Sequence, residues 1–499
     1  MELNTDLGSL SANTLALLKD VTTSGISSLT NLNFYQLEAK AKNLYPVLYP
    51  FLASTPRFDP GVGGTTVNWK GILAVDQNGT LGIEEGKRNA FINFLERDYS
   101  AQYSFFGKDG LVTFVAEQTG KGFDDNLSLN QLSLLNALLN GEERMLLSGN
   151  RTQVALGTTP TPTAALASGG SIPASTSVTV ACVALTSMAV MQAVTSTGIL
   201  TTASRTNADG STTTVNYGNG AISALSTAVS TTSGNQSVTA TVSGYAAGAV
   251  GFAWYVSTAD TLATAYFSGV TNAPSITITA LPASTNQAGN AAGLNTDNSK
   301  NATDLDGLLS IILGNSTNSF PSYFKDMAGA GFTPNGDSSI KEFEAALDFF
   351  WTNYKTVPDR VWVGGTLINP ISTAILQGSS SNARLFFDQN DAGKLTGATM
   401  AAAYRCKYSY NGQPKVLDIR VHPWLPQGVV IFDQVQNPYA SAGNVIPVAR
   451  RVNTLLDHFS IAWPITTLSY EVGTYCFETF QHYIPFSAGA IVNAGTTLA

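Results

Sequence analysis

Between Thr152 and Ala292 the chain carries only three charged side chains, Arg205, Asp209 and Asp260, although the whole sequence holds 26 Lys or Arg and 34 Asp or Glu. A span of this length without Lys or Glu, rich in Ser, Thr, Ala, Gly and Val, follows other folding rules than its flanks. It reads as one domain inserted into another. Candidate strands run over Val178 to Leu185, Thr212 to Tyr217, Ser237 to Ser243, Gly251 to Ser257 and Ser275 to Leu281, separated by Gly- and Ser-rich turns, which is the pattern of a β-sandwich. Trp254 is the natural centre of its core. Cys182 is the only cysteine in the segment, so no disulfide can hold it and apolar packing must. The apolar stretch Val178 to Val194 is interrupted by Thr179, Thr186, Ser187 and Gln192 and falls short of the roughly 20 residues of a membrane-spanning helix. It is read as strand.

The length of 499 residues predicts roughly two to four domains. A formal net charge of -8 argues against a protein that grips nucleic acid along its surface, which needs clustered Lys and Arg. Cys182, Cys406 and Cys476 are widely spaced and form no C-x-x-C, as expected of buried thiols in a reducing compartment. The first residues, Met1 to Asp6, show no basic segment followed by an apolar one, so a secretory signal is not expected.

The flanks read as mixed α and β. Leu44 to Arg57 is too proline-rich for a helix and too apolar for a free linker, which predicts an extended arm lying on another surface. Residues 62 to 116 alternate like long strands, with Asn78-Gly79 as a turn and a charge knot, Glu84-Glu85-Gly86-Lys87-Arg88, at the tip. A helix of about 20 residues follows Asp124 and Asp125 and stops at Gly149. Leu132, Leu135, Leu139 and Leu146 form one seam on it; Leu127, Leu134, Leu138 and Met145 form another, so it must be packed on both sides. After the insert, Ser339 to Glu342 reads as a capping box opening a helix with the apolar face Ile340, Phe343, Leu347, Phe350, Trp351 and Tyr354. Val361-Trp362-Val363 reads as a buried strand, Asn369-Pro370 as a helix start ending at Gly378, and Tyr404 to Val421 as a hairpin turned at Asn411-Gly412. Val429 to Phe432 is a final strand of this unit.

Catalytic signatures are absent or broken. The run from Gly79 to Arg88 misses a phosphate-binding loop by one residue of spacing and by Arg88 where Ser or Thr is needed. No G-x-S-x-G occurs, and His422, His458 and His482 lack metal-ligand spacing. Asp304 to Gly307 and Asp388 to Gly393 fail as calcium loops. The paired acids Glu142-Glu143 and Glu342/Glu344 are read as helix-terminal and solvated. No catalytic, cofactor or metal residue is expected, and no enzyme.

The arm and loop would leave apolar and backbone surface bare in a monomer and make sense if neighbouring copies cover them. On these residues the chain resembles the major capsid proteins of tailed bacteriophages. The resemblance rests on Tyr45 to Pro50 with Thr55-Pro56-Arg57, Phe105-Phe106-Gly107, Asn140 to Asn150, Asp306-Gly307-Leu308-Leu309, Pro358 to Gly365 and Trp424-Leu425-Pro426-Gln427-Gly428. It implies an α+β shell fold with an inserted all-β immunoglobulin-like sandwich. The parts are an N-terminal arm (1–60), extended β-loop (61–118), spine helix (119–151), insert (152–292), axial domain (293–455) and peripheral return strands (456–499). It also implies self-assembly into hexamers and pentamers of an icosahedral shell in the virion, built in the bacterial host cytoplasm around packaged DNA, without sequence-specific binding or a membrane. Scaffolding, portal and decoration proteins are the implied partners; the short N-terminal segment implies either a separate scaffolding protein or a sequence already processed. Intersubunit contacts are expected at Tyr45, Tyr49, Phe51, Arg57, Glu84, Glu85, Lys87 and Arg88. Two alternatives share parts of this reading: an encapsulin-like compartment, and a glycan-binding surface adhesin.

Overall fold

The computed structural model describes residues 48–59, 64–75, 82–88, 94–120, 125–207, 210–335, 339–377, 403–408, 415–439, 446–453, 457–465 and 467–495. Tyr45, Asp124, the Asn78-Gly79 and Asn411-Gly412 turns, Gly378 and the loop from Asp388 to Gly393 lie outside them.

The arm contains a one-turn helix, α1 (Pro50–Ser54), where a wholly extended segment was expected. Pro50 occupies the first turn, where proline has no needed amide to lose, and Pro56 ends the turn. β1 (Arg57–Phe58) follows. β2 (Thr66–Val75) and β3 (Phe94–Gln102) pair antiparallel from Thr66↔Gln102 to Val75↔Phe94 as a ribbon that joins no other sheet. Next come β4 (Ser104–Thr113), α2 (Phe114–Gly120) and the long helix α3 (Asn126–Ser148). The Asp125 side chain caps α3 by accepting the Ser128 N–H at 3.1 Å. Leu134, Leu138, Leu146 and Leu147 are buried, but Leu129 and Leu132 are exposed. The second seam has no exposed member, whereas the first is exposed at Leu132 and covered only toward the C-terminal end of α3.

Here the chain enters the insert through a narrow neck. Gly149 accepts the N–H of Gly307, and Asn150 accepts that of Asn301, both at 2.9 Å. Asp306 accepts the N–H groups of Arg151 at 2.8 Å and Thr152 at 2.9 Å. Gly149 is required by the crossing: a Cβ there would meet the Leu305 carbonyl at 2.5 Å.

The insert comprises β5 (Thr163–Ala167), β6 (Gly169–Gly170), β7 (Ser177–Leu185), α4 (Ser187–Gln192), β8 (Thr202–Thr206), β9 (Thr212–Asn216), β10 (Val229–Ser230), β11 (Asn235–Thr241), β12 (Gly251–Ser257), β13 (Tyr266–Thr271) and β14 (Ser275–Ile278). One sheet has the order β10-β7-β12-β13 and a second β14-β11-β5, with β6 beside β11, while β8 and β9 form a separate hairpin. Val180, Cys182, Phe252, Trp254 and Val256 share a core with Val238, Ala240 and Ile278, so the two sheets stack face to face. Trp254 is fully buried, and its Nε1–H donates to Thr271 Oγ1 at 2.8 Å.

The other face of the first sheet is also buried: Ala181, Val183, Leu185, Ala253 and Tyr255 pack on Ala189, Ile199, Ile222 and Leu294. β7 and β12 thus have no wet face, which is why they are near-continuous apolar runs. Burial alone pushes the Cys182 thiol well above its ordinary value. Leu294 belongs to this core, so the insert's packing runs past Ala292. The strands β5, β6, β8, β10 and β13 were not expected; β5 and β8 are hydroxyl- and alanine-rich with little apolar alternation, and β6 and β10 are two residues long. The stretch Val178 to Val194, read as strand, turns helical at α4, where the Thr186 side chain accepts the Ala189 N–H as a cap.

The returning chain forms α5 (Leu308–Asn315), β15 (Tyr323–Asp326), α6 (Lys341–Tyr354), β16 (Arg360–Gly364), α7 (Ile368–Gln377), β17 (Ala403–Arg405), β18 (Val416–His422), β19 (Val430–Asp433), β20 (Ala449–Asn453), β21 (Phe459–Ala462), β22 (Ser469–His482) and β23 (Gly489–Val492). Six strands form the axial sheet in the order β15-β23-β19-β16-β18-β17. Phe343, Leu347 and Phe350 of α6 bury themselves against Val361, Val363, Phe432 and Ile491 of that sheet. The expected capping box does not form. Ile340 is the N-cap, and Glu342 instead accepts the Thr333 N–H at 3.0 Å because the Thr333 carbonyl already holds Lys341 N–H. α7 starts one residue before Asn369, after a 3-10 turn over Gly365–Leu367, so Asn369 lies inside its first turn and is not the cap. The peripheral sheet runs β1-β20-β22-β21, with β4 also paired to β22 from Ser104↔Glu478 to Thr113↔Ser469.

The neck makes a direct test of how the two parts are joined. Asp306→Ala strips charge-assisted partners from two backbone amides and should lower unfolding free energy by about 2 kcal/mol in urea titrations, with far-ultraviolet circular dichroism unchanged. A loss below about 0.5 kcal/mol would show that the neck is held by other contacts.

Candidate functional site

Consecutive residues on a helix point about 100° apart, so adjacent acids can reach two different neighbours. Glu142 and Glu143 do so from the fully buried part of α3. Glu143 accepts the N–H groups of Phe51 at 2.8 Å and Leu52 at 2.6 Å, supplying the first turn of α1 with the acceptor that no capping side chain provides. It also meets His422 Nε2 at 2.6 Å. His422 Nδ1 accepts the Trp424 N–H at 3.1 Å, which places the ring proton on Nε2, facing Glu143. Trp424 closes the clasp: its Nε1–H donates to the Leu48 carbonyl at 2.9 Å, and the Arg144 guanidinium lies 4.0 Å over its ring.

Glu142 faces the peripheral sheet. It accepts Arg451 Nη1 at 2.9 Å and lies 2.6 Å from His458 Nε2. Arg451 also stands 3.6 Å from Glu478 and 3.6 Å from Asp457. Burial and the neighbouring Glu142 charge hold the Glu478 carboxyl well above the usual range. Across the junction with the axial sheet, Arg360 pairs with Asp433 at 2.6 Å. His482 is buried nearby, and burial lowers it to about 4 against the opposing pull of the Asp433 charge.

The reading of Glu142 and Glu143 as solvated acids is therefore corrected. The signal that could have revealed them is in the sequence: Glu142 falls on the Leu135, Leu139 and Leu146 seam, and Glu143 lies one turn from both Leu139 and Leu147. A helix apolar on both sides leaves such residues no wet face.

The residues expected to touch neighbours divide into two groups. Phe51 is fully buried in its own chain, with its ring 5.9 Å from Trp362 and 6.1 Å from Phe480. Tyr49 is half-buried against the same core, and Arg57 pairs with Asp457 of its own chain at 3.9 Å. Glu84, Glu85, Lys87 and Arg88 are exposed, and Lys87 pairs with Glu84 within the tip itself.

Two surfaces are only partly covered by the described residues. None of the described side chains on the β2–β3 ribbon is buried, and Ile72 and Leu95 are exposed. The ribbon meets the body through Leu73 on the Val448, Ile484 and Phe486 cluster, Trp69 against Tyr483 and Arg97 against Asn315. The outer face of the peripheral sheet bears stacked rings, Tyr103 on Phe477 and Phe105 on Tyr475, beside exposed Leu111, Val115, Ile465 and Leu468.

No protein-family model and no curated protein matches the chain. Among solved structures it is similar to the capsid structure of the cyanophage P-SCSP1u, at 9% identity and TM-score 0.38, covering 93% of this chain and 94% of that one. It is similar to the capsid of Myoviridae phage XM1, at 9% identity and TM-score 0.40, covering 94% and 99%. It is also similar to the holo-SrpI encapsulin of Synechococcus elongatus, at 7% identity and TM-score 0.37, covering 92% and 94%.

His482 predicts an acid limit to stability. Its folded value of about 4 lies below the ordinary 6.5, so between these values the unfolded chain binds the extra proton. Stability is then full above about pH 6.5 and falls on acidification by up to ~1.4 kcal/mol per pH unit. Urea titrations between about pH 7 and pH 4 should show this slope reduced in His482→Gln. Parallel curves for the two proteins would exclude His482 as its source.

Proposed function

We propose that this chain is the major capsid protein of a tailed bacteriophage: copies assemble as hexamers and pentamers into an icosahedral shell around the packaged genome. One observation carries the reading. The β2–β3 ribbon pairs strands of ten and nine residues with no buried described side chain and, among the described residues, joins no other sheet. A two-stranded ribbon of this kind is marginal in water and needs a covering surface. The apolar outer face of the peripheral sheet, with Leu468 81% exposed, is a second such surface on the same molecule. Two unlike surfaces that the described residues leave largely uncovered are what a head-to-tail contact between copies requires, and such contacts form rings where the rotation closes. Many weak contacts per copy then add through multivalency.

The tip charges Glu84, Glu85, Lys87 and Arg88 would set register between copies more than affinity. Tyr45 and the rest of the arm before Leu48 would reach a neighbour, whereas Tyr49, Phe51 and Arg57 serve the fold of their own subunit. We read the insert as an immunoglobulin-like decoration of the shell's outer surface, and scaffolding, portal and decoration proteins as partners during assembly in the host cytoplasm.

Negative-stain electron microscopy of the expressed chain, alone and with a scaffolding partner, should show capsomers or closed shells. Ile72→Lys on the ribbon should abolish them while the thermal melt of the isolated subunit stays within about 2 °C of the parent, since Ile72 is exposed. A monodisperse monomer under both conditions would overturn the proposal.

A further inference from the structure

The α3–peripheral junction gathers a mixed donor set, of which neither the fold nor the assembly reading uses Cys476 or the free oxygens of Glu478. The ligand atoms of Glu142, His458 and Cys476 all lie within 4.8 Å of one another, and so do those of Asp457, Cys476 and Glu478. Cys476 is common to both groups and is fully buried. Neither carboxylate oxygen of Glu478, also fully buried, receives a hydrogen bond. The carboxyls of Glu142 and Glu478, both buried, and of the part-exposed Asp457 surround the Arg451 guanidinium, and Asp457 also pairs with Arg57. A buried carboxyl without a hydrogen-bond partner is costly, and a divalent cation would give it one.

We propose that Glu142, His458 and Cys476 form a binding site for a first-row divalent cation, Zn2+ by preference, whose fourth position the neighbouring Glu478 would reach by rotating its side chain. Nitrogen, thiolate and carboxylate donors together suit zinc, which takes four ligands at about 2.0–2.3 Å in a tetrahedron whose corners lie roughly 3.5 Å apart. Cys476 Sγ would need to close on the other donors by up to about an ångström, while Glu142 Oε2 and His458 Nε2 would part by about as much. Glu142 Oε2 and His458 Nε2, now 2.6 Å apart in a hydrogen bond, would turn to the metal, while Glu142 Oε1 stays on Arg451.

Cys476 would give up its thiol proton to solvent on binding, the sulfur keeping the electron pair that forms the metal bond. Asn453 Nδ2 already lies 3.8 Å from that sulfur, a contact that steadies a thiolate. His458 Nδ1 faces Asp457 at 3.4 Å, which would orient the ring as metal-bound histidines commonly are. The partial exposure of His458 and Asp457 provides a route of entry. Bound metal would tie α3 to the strands of the peripheral sheet at the point where their charges are least balanced.

The test uses the full-length chain, stripped with EDTA and titrated with Co2+ as a spectroscopic probe. The expected result is one Co2+ per chain, with tetrahedral visible bands and a near-ultraviolet thiolate-to-cobalt band, both bleached by Zn2+. Cys476→Ser should lose the thiolate band, and His458→Gln should weaken binding by about tenfold or more. Cys182→Ser and Cys406→Ser, both at buried thiols far from this junction in sequence, should keep the band. EDTA should lower the melting temperature of the zinc-loaded parent but not of Cys476→Ser. Absence of the thiolate band in the parent, or its loss in Cys182→Ser or Cys406→Ser, would overturn the proposal. So would its survival in Cys476→Ser. If Cys476→Ser does not fold, the parent spectrum and the other two cysteine variants still decide it.

Discussion

The Glu143 carboxylate is the constraint on which the arrangement of this chain depends. A buried carboxylate is tolerable only when its lone pairs are filled, and here two amides of the arm and a histidine of the axial sheet fill them. Three segments far apart in sequence therefore have to meet at one turn of α3. Removing any partner would leave an uncompensated charge in the core, which costs more than the contact itself contributes. That asymmetry explains how a short proline-rich arm becomes a fixed part of the subunit. Its neighbour Glu142 performs the same service toward Arg451 of β20 and His458 just before β21, so α3 is joined to both sheets through two adjacent residues.

This hub also separates the rigid from the unfinished parts of the molecule. The partners of Glu143, namely Phe51, Leu52 and His422, are buried. The β2–β3 ribbon and the outer face of the peripheral sheet lie beyond that reach, and both bear exposed apolar side chains. A subunit built this way can present unpartnered surfaces without loosening its own core. The insert follows the same logic at the neck, where Gly149, Asn150 and Asp306 clamp the outgoing and returning chain within a few residues.

Much of the fold could be read from residues whose neighbours in sequence determine their environment. The strand around Trp254, the buried strand Val361 to Val363 and the amphipathic face of α6 follow from local periodicity, and the insert follows from charge density alone. What escaped was decided by distant contacts. Pro50 permits a helical turn that its proline-rich surroundings appear to forbid, because Glu143, 92 residues away, caps it. Glu342 looks like half of a capping box until Thr333 takes its carboxylate. Phe51 reads as an exposed arm residue until Trp362 and Phe480 are placed around it. The hub was partly legible: the two apolar seams of α3 already left Glu142 and Glu143 nowhere to be solvated, but their partners at 422, 451 and 458 carry no local signal.

Hydrogen–deuterium exchange on Glu143→Gln measures the hub most directly. The amide cannot accept from two backbone N–H groups and the histidine as a carboxylate does, so the arm should loosen first. Exchange at Phe51 and Leu52 is predicted to quicken by about 100-fold, corresponding to ~3 kcal/mol of local protection, while β12 of the insert keeps its protection. Unchanged exchange at Phe51 and Leu52 would contradict the account, as would an equal rise along the whole chain, because either result would mean that Glu143 does not hold the arm.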